Sequence, residues 1–277
     1  MIALIRAETA RLLARRITLY FPLTLAVLMI VGIVIAILII QNENDSVDFV
    51  ADIAGLGEGS AGANGTAVLG PMGFLIPIMA FVIGASYYGA DEKSGMIEHL
   101  LTWEPQRLKL LLARMIGGGG AIFAISALLS AFLVVLLYIL SAVSGGDTSG
   151  VGDVAGTILA AILRSGVSGT IFFLFGLGLT VIVNNSVASI VGFLIWVFIV
   201  EVALIGPLLP NVAAWFPVSN SDSFVSGMDY EVFPGPFDDG FEPTLHHSAL
   251  ISGVIILAWG AAFNALGAFA FWRRDID

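Results

Sequence analysis

The sequence predicts an all-α polytopic membrane protein, and three observations predict it. Hydrophobic residues make up 58% and charged residues only 12% of the 277 positions, against about 45–50% and 25% in soluble domains. Mean hydropathy is +1.00. Six apolar runs are long enough to cross a bilayer core of about 30 Å, which takes about 20 helical residues. These runs are continuously apolar, whereas barrel strands alternate, so a β-barrel is excluded. The absence of cysteine excludes a disulfide scaffold.

The expected spans cover about 19–40, 71–90, 115–143, 160–183, 187–209 and 248–272 of a single transmembrane domain, 1–277. Polar clusters close them: Gln41 to Asp45 after the first, Asp91 to Lys93 after the second, Pro210 and Asn211 after the fifth. The first run is too long for the apolar core of a signal peptide and has no clean small-residue cleavage site, so a retained helix is expected. Ahead of it, residues 1–18 set Ile2, Ile5, Leu12, Leu13 and Ile17 near one helical face, with four arginines mostly around the rest. That pattern predicts an interfacial helix, serving either as a basic anchor or as a docking element.

Basic residues set the orientation. With the N-terminus in the cytoplasm, ten of the eleven Lys and Arg lie inside, and the exception, Arg164, is at or near the fourth span. Both termini are then cytoplasmic, in a multi-pass plasma-membrane protein. The external loops, 41–70, 144–153 and 210–247, hold thirteen acids and no base. The formal charge of −10 becomes a gradient, with a mildly basic inner face and a strongly acidic outer one.

The inner segment 91–114 carries the most information. Met96, Ile97, Leu100, Leu101 and Trp103 recur at spacings of three and four, which predicts a short amphipathic helix. Pro105 suits the first turn of a following helix, where its missing N–H costs nothing. This segment resembles the signature region of ABC-2 type transporter permeases, roughly E-x-x-x-G-T-L-E-x-L-L-x-x-P-x-x-R after the second span. Glu92, Gly95, Glu98, Leu100, Leu101, Pro105 and Arg107 stand at or close to the matching places. Met96 replaces the usual Thr, Ile97 stands in for Leu, and Arg114 stands where Lys is common. The ending Phe271-Trp-Arg-Arg-Asp-Ile276 also looks like the family's basic terminus.

The resemblance implies the membrane subunit of an ATP-driven exporter of an unspecified substrate. It implies that Glu92 to Trp103 forms a coupling helix against a separate ATPase subunit, and that two permease copies, or a permease and a paralogue, enclose one pathway. ATP and Mg would then bind the partner, with no cofactor or catalytic residue on this chain. The sequence agrees: no G-x-x-x-x-G-K-[ST] loop is present, and neither Lys93 nor Lys109 follows a glycine. The lipid bilayer is the other expected partner, and nothing points to nucleic acid. The alternative is an ATP-independent secondary transporter or channel.

Arg164 and Glu201 are the ionisable residues within the apolar runs, where charge costs at least about 2.5–3.5 kcal/mol at the bilayer centre. They are expected to approach each other and lock the outer ends of spans four and five. Trp215, Phe216, Phe224, Tyr230, Phe233, Phe237 and Phe241 crowd the last external stretch, either as an external gate or as interfacial anchors. Gly166-Val-Ser-Gly169 with His246 and His247 mimics the serine–histidine dyad of an intramembrane protease. The histidines lie at the membrane edge and Ser168 about a turn deeper, so the glycines and serine read as close helix packing. His246-His247 beside Asp238, Asp239 and Glu242 fits no zinc spacing.

Overall fold

The computed structural model describes residues 1–42, 70–103, 106–143, 151–232 and 245–273. The chain is an all-α bundle. Its helices are α1 (Ile2–Leu13), α2 (Arg16–Asn42), α3 (Gly70–Lys93), α4 (Met96–Trp103), α5 (Arg107–Val143), α6 (Val151–Val183) and α7 (Ser186–Ile195). A π-helical segment, Trp196–Ile205, continues α7. Then come α8 (Gly206–Leu208), α9 (Pro210–Ala213), α10 (Pro217–Ser226), a hairpin of β1 (Tyr230–Val232) and β2 (Leu245–His247), and α11 (Ala249–Arg273). Among the described residues α3, α5, α6, α7 with its π segment, and α11 are long and apolar enough to cross a membrane. The pair α1 and α2, bent by 56°, makes a sixth candidate.

Helices α3 and α6 form the centre. They approach at two glycines: a Cβ on Gly84 would overlap the carbonyl of Phe173, and one on Gly176 would overlap that of Phe81. Without hydrophobic drive between helices in lipid, such small residues are what lets backbones close up. Phe81 stacks on Phe193 of α7 at 3.7 Å between ring centroids, and Phe175 meets both edge-on at 5.4 and 5.8 Å. Helix α11 closes the other flank, with Gly267 against Gly178 of α6. The outer faces of α2, α5, α7 and α11 keep Leu28, Leu128, Val187 and Leu250 exposed, as lipid-facing surfaces require.

The helices are longer than the expected spans at several ends. Helix α6 starts at Val151, inside the stretch expected as a loop, and α5 starts at Arg107, two turns before the expected third span. The chain reverses between α6 and α7 at Asn184, whose φ is +58°, and Asn185 caps α7 by accepting from the Val187 and Ala188 amides. The fifth span is not one regular helix: it changes to π geometry at Trp196, a change that is frequent at functional sites.

The stretch expected as the last external loop holds α10. Its sequence, PVSNSDSFVS, is polar, yet Val218, Asn220, Ser221 and Val225 are buried. Ser221 bonds Ser168 of α6 at 2.7 Å, Ser252 of α11 donates to Ser223 at 3.2 Å, and Gly73 of α3 lies against the backbone of Asp222. Of the described aromatics, Trp215 is exposed, while Phe216 meets Trp196 and Trp259, Phe224 lies on Gly253, and Tyr230 stacks on His247. Phe233, Phe237 and Phe241 lie outside the described residues, as do Asp238, Asp239, Glu242 and the loops 43–69 and 144–150.

Candidate functional site

The ends of α3 and α11 and the starts of α2, α5 and α7 meet at the basic end of the bundle. There α1 docks on α5 and α3. A Cβ on Gly117 would come within 2.8 Å of the Ile5 carbonyl, so glycine there lets α1 lie flat on α5. Thr9 Oγ1 donates to the Gly117 carbonyl at 3.2 Å, and Leu12 is fully buried beside it. Ile2 and Leu13, expected on the apolar face, are exposed, while Glu8 is buried at 1% exposure. The inward face of α1 is therefore mixed, and its charges are the site.

Glu8, Arg11 and Arg15 come from α1 and the turn after it, Tyr87 and Asp91 from the last turns of α3, and Arg114 from α5. Arg11 donates to Glu8 Oε1 at 2.7 Å and to Asp91 Oδ2 at 3.0 Å. Arg15 donates to Asp91 Oδ1 and, at 3.3 Å, to the Ser86 carbonyl. Arg114 donates to Asp91 Oδ2 at 2.5 Å, and its Nε lies 3.3 Å from Glu8 Oε2. The Tyr87 hydroxyl donates to Glu8 Oε2, and its ring lies beneath Arg15 and Arg114, with guanidinium carbons 4.7 and 5.4 Å from the centroid. Burial opposes the charge on Arg11, but Asp91 and Glu8 outweigh it and hold its pKa above the ordinary value.

Asp91 and Arg114 are 4% and 2% exposed, so neither charge has water to fall back on. Buried ions are held only if they are paired and hydrogen-bonded, and losing one partner is strongly destabilising. Asp91 accepts from three arginines on two other segments. The cluster therefore fixes the ends of α1, α3 and α5 relative to one another.

Helix α4 hangs from this clamp. Ser94 and Gly95 turn the chain out of α3, and Gly95 has φ +66°, a left-handed conformation that favours glycine. Glu92, next to Asp91, is half-buried, and Leu100 is half-buried on α4. Glu98 and Leu101 are placed on α4 and Arg107 at the start of α5, with side chains outside the described residues, as is Pro105 entirely. The structure thus sets the sequence-predicted segment beside a cluster whose members Glu8, Tyr87 and Asp91 were not singled out. The i, i+3 pair Glu8 and Arg11, and a lone arginine seven residues into α5, are the signals that point to it.

At the opposite end, Arg164 and Glu201 do not meet. Glu201, 1% exposed on the π segment, accepts from the Ser219 amide at 2.6 Å and the Ser219 hydroxyl at 2.9 Å. Arg164 lies against Gly227, the residue that caps the far end of α10. The expected pair fails because α10 stands between the two charges, each attracted to one end of its dipole: carboxylate at the N-terminus, guanidinium at the C-terminus. Ser168 is engaged by Ser221, and His247 Nε2 bonds Asn220 Oδ1 at 2.8 Å. Among the described residues no group of three or more His, Asp or Glu could hold a metal.

Fold and packing define a multi-pass membrane protein. Residues 24–276 match the family described as a protein of unknown function, DUF2705, and the chain belongs to that family. No curated protein matches it.

Proposed function

We propose that this chain is the permease subunit of an ABC-2 type exporter, driven by a separate ATPase subunit. In this reading the basic end faces the cytoplasm of a plasma membrane, following the positive-inside bias. ATP and Mg bind the partner, and a second permease copy or paralogue completes the pathway.

The observation that carries the reading is the junction of α4 with the buried cluster. The short helix Met96–Trp103, whose sequence carries Glu98 and an apolar 3–4 repeat, is joined through Gly95 to the end of α3 that bears Asp91 and Glu92. Force applied to α4 by a closing ATPase reaches α3 first, and Asp91 passes it to α1 and α5 through Arg11, Arg15 and Arg114. The seven residues that resemble the permease signature lie in this same segment. Rigid transmission requires bonds that do not yield, and a desolvated, multiply bonded carboxylate supplies them.

Co-expression with candidate ABC ATPases tests this. The expected result is a complex that survives purification, with ATP hydrolysis altered by charge reversal at Glu92 and Glu98. An ATPase that never co-purifies, with transport unaffected by those reversals, contradicts it. The second reading, an ATP-independent secondary transporter or channel, draws on one observation, the buried carboxylate of Glu201 in the π segment. Transport that follows an imposed ion gradient without any ATPase would favour it.

A further inference from the structure

We propose that the groove between α2 and α5 holds one acyl chain of an anionic phospholipid whose phosphate sits against Arg16. The groove has a volume of about 530 Å³ and is walled by Leu19, Leu23, Ala26 and Val27 of α2 and by Leu128 and Phe132 of α5. Its basic end is closed by Leu13, the last residue of α1, and by Thr18. It therefore begins at the bend between α1 and α2 and runs along the apolar length of α2, the course of an acyl chain below its headgroup.

Two further observations select a lipid of this charge. Thr18 is 3% exposed and lines the groove, yet its hydroxyl has no hydrogen-bond partner. A phospholipid carries ester and phosphate oxygens at this depth, where the groove meets the headgroup region. Arg16, two residues before Thr18, is exposed, whereas Arg11, Arg15 and Arg114 are engaged with Glu8 and Asp91. Basic pockets between spanning helices bind anionic headgroups in this way.

The test uses the full chain in nanodiscs of equal phosphatidylglycerol and phosphatidylcholine, followed by native mass spectrometry in mild detergent. The expected result is one retained phosphatidylglycerol per chain, preferred about fivefold over phosphatidylcholine, as one basic residue at an anionic surface provides. Arg16→Gln should remove that preference and Ala26→Trp, which fills the groove, should remove the retained lipid. Equal retention of the two lipids by the wild-type chain overturns the proposal without any variant. Because the chain has no cysteine, Leu23→Cys gives a second measurement. A disulfide-linked dimer formed through it in membranes would show that a second copy covers the groove, and would also overturn the proposal.

Discussion

Arg114 Nη2 donates to Asp91 Oδ2 at 2.5 Å, joining the last turn of α3 to a point two turns inside α5. Both side chains are out of water, so the pair cannot be relaxed by solvent. Asp91→Ala leaves three arginines short of an anion. We expect a loss of about 3–5 kcal/mol in stability, the cost of breaking a buried pair from one side. Denaturant titration in micelles measures it, and an effect below about 1 kcal/mol, the range of an exposed pair, would contradict the burial.

Glu201 and Arg164 hold opposite ends of α10 rather than each other. Reversing both charges, with Arg164→Glu and Glu201→Arg, should therefore rescue nothing lost in the single variants, because each new charge faces the wrong end of the helix dipole. Glu201→Gln should be milder than Glu201→Ala, since the amide oxygen still accepts from Ser219, whereas alanine leaves that amide unpaired at about 1–3 kcal/mol. Recovery in the double reversal would show a direct pair.

Gly84 and Gly176 set the distance between α3 and α6. Alanine at either must push two backbones apart, and we expect each to cost about 1–3 kcal/mol, as overpacking does. Gly192→Ala is the control, since nothing lies within 4 Å of the added carbon. Equal melting temperatures for all three variants would rule out the close crossing.

The hairpin end should be sensitive to acid. Burial, and then neighbouring His246, hold the His247 pKa below its ordinary value, with Asp229 opposing. The folded state thus prefers neutral His247, whose ring stacks on Tyr230 and bonds Asn220 of α10. The stability this contributes is present above about pH 6.5, the ordinary histidine value, and is lost as pH falls through the lowered folded value. Protection factors of α10 amides, corrected for the intrinsic pH dependence of exchange, should fall over that window in the wild type and lose this dependence in His247→Gln.

The spans and the amphipathic α4 were legible because a bilayer demands long apolar runs and a surface helix demands a 3.6-residue period. The clamp was harder to see. Glu8 and Asp91 are far apart in sequence, and a charge at a helix end reads as solvent-exposed until its partners are known. Helix α10 was missed because its serines read as loop, although Pro217 at its first turn and Gly227 just past its end are ordinary start and stop signals. Without that helix Arg164 and Glu201 read as partners, because what separates them is a polar segment more than fifteen residues further along the chain than Glu201.

In the proposed function, α4 is where an ATPase acts. Thr102 is exposed on α4, and Thr102→Cys would be the chain's single thiol. Crosslinking from that thiol in native membranes, with the product identified by mass spectrometry, tests the claim most directly. The account predicts an adduct with an ABC ATPase subunit that changes in yield when ATP is added. Labelling of Thr102→Cys from outside intact cells by a membrane-impermeant reagent would contradict it.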